Sequence, residues 1–234
     1  MQVDWLELNP SGSKLLFRDK NRHLHLFDVA TQNKTTLLNF CSYVQWVPNS
    51  DVVVAQNRDN LCVWYSIDAP ERQTIFQIKG DVEDIERAGG RTEVIVDEGI
   101  NTVSYRLDET LIEFGMRIEN KDFERAVDLL ETLEYSTETE AMWNTLCNLA
   151  LQDNRLVIAE RCCAALGDMS RACFLRKVTD VAETAQAEGL ADGASHFLVR
   201  AKMATLEKNF DRAEAILLEQ GAVEEAMEMY QVIY

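Results

Sequence analysis

The sequence predicts two folds in series: an all-β half made of a repeated four-stranded unit, then an all-α half made of helical hairpins. Three observations carry this reading. Short strand-like runs separated by turn residues fill residues 1–108, which also hold all three prolines. These runs repeat with a period near 40 residues. From Glu109 onward, Ala, Leu, Glu and Met recur at helical spacing.

Strands are expected at residues 3–8, 14–18, 23–29, 34–38, 43–47, 52–56, 61–67, 73–78, 82–86, 92–96 and 102–107. Overlaying them places Trp5 on Trp46 after 41 residues and Thr35 on Thr74 after 39. Val63, Tyr65 and Asp68 fall on Val103, Tyr105 and Asp108, each after 40. Four strands in about 40 residues make the blade of a WD40-like β-propeller. Asn9-Pro10-Ser11-Gly12 and Pro48-Asn49-Ser50-Asp51 supply turn formers between the first two strands of successive blades. Residues 1–108 therefore read as about three C-terminal blades of a partial propeller, the third with three strands. A propeller needs about four to eight blades, so the expectation is a truncated ring.

Residues 109–234 read as the start of a tetratricopeptide-like α-solenoid, with helices near 109–118, 121–133, 138–152, 155–166, 169–186, 194–207, 210–219 and 223–234. Thr137 and Asp168 are the expected caps. Two internal echoes support hairpins. Ala159, Gly167 and Ala172 match Ala213, Gly221 and Ala226 at an offset of 54, and Lys121-Asp122-Phe123 matches Lys208-Asn209-Phe210 at 87. Gly167 and Gly221 are expected to end helices with positive φ. The apolar finish Tyr230–Tyr234 reads as a solenoid that continues.

Composition excludes several functions. The 40 acidic side chains against 23 basic ones disfavour nucleic acid, which needs clustered Lys and Arg. Residues 1–108 hold 16 acidic and 11 basic side chains, and residues 109–234 hold 24 and 12, so the helical half carries most of the acidity. That half is expected to meet basic partner surfaces, with binding that weakens in salt. No apolar run reaches the ~20 residues of a membrane span, so no integral membrane segment is expected. The cysteines Cys41, Cys62, Cys147, Cys162, Cys163 and Cys173 form no C-x-x-C pair and read as reduced, partly buried thiols.

No catalytic constellation emerges, and the expected lists of catalytic, cofactor-binding and metal residues are empty. His23 and His25 share one strand face at period two, which a metal could use, but no third ligand accompanies them in the sequence. A hydrogen-bonded blade histidine is the expected reading. Gly89-Gly90 precedes a strand and reads as a hairpin turn, not a phosphate loop. Asp81, Glu83, Asp84 and Glu86 lack the order of a calcium loop and read as a solvated edge. Trp46, Trp64 and Tyr65 are expected between blades, and Trp143, Phe174, Phe197 and Phe210 along the helical core stripe.

Several stretches resemble a known family: Leu38-Asn39-Phe40-Cys41-Ser42-Tyr43-Val44-Gln45-Trp46-Val47-Pro48, Leu61-Cys62-Val63-Trp64-Tyr65, Thr139-Glu140-Ala141-Met142-Trp143 and Glu219-Gln220-Gly221-Ala222-Val223-Glu224-Glu225-Ala226-Met227. They are similar to the peripheral propeller-and-solenoid subunits of intraflagellar transport complex B. The resemblance implies two N-terminal propellers followed by a long solenoid, with this sequence a fragment spanning their junction. It also implies a non-enzymatic scaffold or adaptor of the ciliary transport train. Its partners would be other complex B subunits and neighbouring train components, at the cytoplasmic side of the cilium or flagellum and the basal body. A vesicle-coat subunit is the alternative, because the propeller-plus-solenoid plan also serves membrane coats.

Overall fold

The computed structural model describes residues 2–187 and 193–233. Among them, eleven strands are followed by eight α-helices, and the chain divides into compact units at residues 1–121 and 122–234.

In the first unit, β1 (Val3–Leu8), β2 (Lys14–Asp19), β3 (Leu24–Asp28) and β4 (Lys34–Leu38) form one antiparallel sheet in sequence order. The next sheet repeats the plan with β5 (Cys41–Trp46), β6 (Val53–Asn57), β7 (Asn60–Trp64) and β8 (Thr74–Gln77). The last sheet has three strands, β9 (Asp81–Ala88), β10 (Arg91–Asp97) and β11 (Thr102–Arg106). This is the partial propeller expected, and the overlays hold: Trp5 and Trp46 lie on first strands, Thr35 and Thr74 on fourth strands, and Val63 and Val103 on third strands. Gly89 and Gly90, at φ 59° and 73°, turn the β9–β10 hairpin.

Two cores lie between the sheets. Leu16, Leu24 and Leu26 meet Trp46, Val53, Ala55 and Trp64, while Val54, Leu61 and Val63 meet Val82, Ile85, Val94 and Val96. Trp46 and Trp64 are buried and Tyr65 packs at the second core, as their recurrence predicts. Paired turns reinforce the join, since Asn9 Nδ2 donates to both carboxylate oxygens of Asp51 at 3.0 Å.

The strand-to-helix change falls at Asp108, whose carboxylate accepts from the backbone N–H groups of Thr110 and Leu111 at the start of α1 (Glu109–Glu119). This helix packs with the sheets. Ile112 is fully buried in the second core, and Glu109 accepts from Arg87 Nη2 at 2.6 Å and from Thr92 Oγ1 at 2.6 Å.

In the second unit α2 (Phe123–Glu131), α3 (Thr137–Gln152), α4 (Leu156–Ala165), α5 (Met169–Ala187), α6 (Phe197–Leu206), α7 (Phe210–Glu219) and α8 (Val223–Ile233) pack in succession, each against its neighbour in sequence. This is the expected helical solenoid. The echoes occupy equivalent places: Ala159 and Ala213 are fully buried, and Ala172 and Ala226 are buried one helix later.

Helix ends depart from expectation in instructive ways. Ser136, not Thr137, caps α3, because its extended backbone aims Oγ at Thr139 N while the Thr139 hydroxyl accepts from Ser136 N, a reciprocal box. Asp168 does cap α5, accepting from Arg171 N at 3.0 Å. The helix expected from residue 194 starts at Phe197, after a 3-10 turn over Gly193–Ser195. Tyr234, expected to close the last helix, lies outside the described residues.

Helix termination repeats with a left-handed residue one step past the cap, at Asn154, Gly167, Lys208 and Gly221. The next N–H then reaches back, as Arg155 N to Ala150 O at 2.7 Å and Asn209 N to Ala204 O at 2.9 Å. A side chain at such a φ is strained by about 1 kcal/mol or more. Lys208→Gly is therefore expected to stabilise the helical unit by about 0.5–1 kcal/mol, read as a raised thermal midpoint. An unchanged or lowered midpoint would show that the Lys208 side chain offsets the strain.

Candidate interaction face and histidine cluster

Tight connections at one end of the sheets bring together residues distant in sequence. Arg22 lies in the β2–β3 turn, Phe40 between β4 and β5, Arg58 in the β6–β7 turn, and Lys79 between β8 and β9. Arg22, Phe40 and Arg58 all have positive φ, at 63°, 60° and 54°. Bulky side chains seldom occupy that region, and the surrounding bonds enforce it. Arg22 N donates to Asp19 O at 2.9 Å, and Arg22 O accepts from Cys41 N at 2.7 Å. The result is a cleft of about 440 Å³ lined by Arg22, Phe40, Arg58 and Lys79 against Asp59 and Asp81.

Phe40 is 55% exposed, and the Arg58 guanidinium stands 4.9 Å from its ring centroid. A cation over an aromatic face is a contact that a partner can share or replace. On a chain of net charge −17, the lining of this cleft carries three basic side chains against two acidic ones.

In the lining of the cleft, Gln56 ties the second and third sheets. Its Nε2 donates to Gly80 O at 2.9 Å and to Asp81 Oδ1 at 3.1 Å, and its Oε1 accepts from Val82 N at 2.9 Å. In the second unit a cleft of about 660 Å³ is lined by Asp153, Arg155, Arg200, Glu207 and Arg212 among others, the same balance of three basic and two acidic side chains but without an aromatic ring.

The sequence offered His23 and His25 without a third ligand. The structure places Asp19, at the end of β2, beside them, and one donor atom from each of the three lies within 4.8 Å of the others. Asp19 is held below the usual carboxylate value, chiefly because the His23 backbone N–H bonds its oxygen. Burial, helped by the charge of Lys34, pushes His25 down, which favours the neutral ring. The spacing D-x3-H-x-H, with a tight turn closed on Asp19, was the available signal.

Other candidates take the expected places. Asp81, Glu83, Asp84 and Glu86 are exposed along the edge strand β9. All six thiols are free and five are buried. Burial raises Cys41 to about 11 and Cys162 to about 12, which keeps both protonated and unreactive. Spacing did not foresee that Cys147 Sγ and Cys163 Sγ lie 3.5 Å apart between α3 and α4. Among the described residues, no helix is long and apolar enough to cross a membrane.

No family model matches the chain. Curated proteins match it almost end to end. The intraflagellar transport protein 172 homologue of Danio rerio is 58% identical over 233 residues, covering 100% of this chain and 13% of that protein. Intraflagellar transport protein 172 of Chlamydomonas reinhardtii is 59% identical over 230 residues, 98% of this chain and 13% of its own length. Intraflagellar transport protein osm-1 of Caenorhabditis elegans is 44% identical over 232 residues, with 99% and 13% covered. The chain thus spans 13% of the length of the curated relatives it matches. Over essentially its whole length, the chain is homologous to one segment of proteins named intraflagellar transport protein 172.

Proposed function

We propose that this chain serves as a structural scaffold in the intraflagellar transport train, within a peripheral subunit of complex B needed to assemble the cilium or flagellum. It acts by binding, not by turnover. Its place is the cytoplasmic side of the cilium and the basal body, and its partners are other complex B subunits and neighbouring train components. The observation that carries this reading is identity of 57 to 59% to proteins named for that transport. The blade face, with its charged side chains and aromatic ring, supports it, because charge complementarity and a central aromatic are what a docking surface needs. The acidic helical half offers the opposite sign to basic partner surfaces.

The test places the tagged natural gene product in ciliated cells that lack their own copy. The protein is expected at cilia and basal bodies and to co-purify with complex B subunits, less so as salt rises. Arg22→Glu with Arg58→Glu is expected to cut the co-purified complex by about tenfold. Accumulation on Golgi or endosomes would instead make it a vesicle-coat subunit. Co-purification unaffected by the two substitutions would remove the blade face from the interface.

A further inference from the structure

A β-turn is a compact way to aim several donors at one point, and the turn between β2 and β3 does so. Asp19 closes β2, while His23 and His25 follow at four and six residues. His23 Nδ1 stands 3.2 Å from Asp19 Oδ2, and His25 Nε2 stands 3.7 Å from the same oxygen. Two ligands about 2.0–2.1 Å from a tetrahedral ion stand about 3.4 Å apart, so these two separations need little adjustment, and the two imidazole nitrogens, within 4.8 Å of each other, would close on the ion as it binds.

The supporting bonds orient each donor. Asp19 Oδ1 accepts from the backbone N–H groups of Asn21 and His23, both at 2.9 Å, which leaves Oδ2 for another partner. His25 Nδ1 lies 3.0 Å from Thr36 Oγ1, so its Nε2 is the atom turned toward Asp19. Fixing one imidazole nitrogen by a hydrogen bond, to present the other, is how metal-binding histidines are held. The Asp19 and His25 side chains are 11% and 7% exposed, whereas that of His23 is 37% exposed. The site is therefore buried on one flank and open to solvent on the other.

We propose that Asp19, His23 and His25 bind one divalent first-row transition ion of the zinc class. Two imidazoles and a carboxylate suit such an ion, while magnesium and calcium prefer all-oxygen shells. Three protein ligands leave a further position that water, entering on the His23 side, completes. The bound ion would cross-brace the turn that carries Arg22 and so stiffen one wall of the cleft beside Phe40. Lys34, 5.4 Å from the Phe17 ring centroid, is a charge of the same sign as the ion on the neighbouring strand.

The experiment strips the chain with EDTA and titrates it with zinc chloride by calorimetry. Cobalt(II) then serves as a spectroscopic stand-in. One ion per chain is expected, with visible ligand-field bands for cobalt. Loss of a ligand in Asp19→Asn, His23→Gln or His25→Gln should weaken zinc binding at least about tenfold, and Thr36→Val about tenfold. Since His23 is the most exposed of the three ligands, its variant keeps the test decisive if a buried substitution fails to fold. Absence of zinc uptake by the unmodified chain would overturn the proposal. So would uptake that survives His23→Gln and His25→Gln unchanged, which would place the ion elsewhere, for instance on the Cys147–Cys163 pair, and leave the three side chains as a hydrogen-bonded turn brace.

Discussion

Trp64→Ala is expected to cost the sheet unit about 3–5 kcal/mol, enough to consume much of the stability of an ordinary domain. Trp64 is fully buried between the first and second sheets, against Leu16, Leu24, Leu26 and Ile67 among others. Its indole N–H donates to Pro70 O at 3.0 Å, pinning the β7–β8 loop to the core. Truncation removes a large apolar contact area, opens a cavity that two rigid sheets cannot close, and leaves a carbonyl without its donor. Hydrogen exchange at the β6 and β7 amides reads this loss separately from the helical unit. A loss under about 1 kcal/mol would mean that the sheets repack freely and that the two blades do not share a rigid core.

Gly80→Ala should be nearly as damaging, at about 3 kcal/mol, for a different reason. A Cβ there would lie 1.9 Å from Asp97 O and 2.6 Å from Asp97 C, and both atoms are main chain. Relief requires moving either the start of β9 or the end of β10. The same shift pulls Gly80 O away from Gln56 Nε2 and strains the bridge between the second and third sheets. Gly12→Ala is the control, because nothing lies within 4 Å of its Cβ and only the left-handed backbone opposes it. Its cost is expected near 1 kcal/mol. Equal thermal midpoints for the two variants would show that the Gly80 contact is not a constraint.

The fold was legible because it is repetitive. A blade cannot bury its faces alone, so the residues at its sheet contacts must recur, and Trp5 with Trp46 and Tyr65 with Tyr105 betray that recurrence. Gly167 and Gly221 announced two helix ends, whereas Asn154 and Lys208 adopt the same left-handed step without a glycine to reveal it. Their conformation is imposed by the helix on either side, which local preference does not report. The candidate sites were less visible. His23 and His25 stood out as a strand pair, but Asp19 joins them through a turn that folds four residues back on themselves. Arg22, Phe40, Arg58 and Lys79 come from four separate connections, and no local spacing links them.

Helix α1 is helical by backbone and part of the sheet unit by contact, with Ile112 in the interblade core and Glu109 clasped by Arg87 and Thr92. A genetic crossover at Asp108, where strands give way to helices, would hand one daughter an open hydrophobic socket and the other an orphan amphipathic plug. Recombination that transplants these blades intact must cut beyond Lys121. The piece that can be inherited whole is thus set by burial, and it outruns the visible change of secondary structure by a full helix.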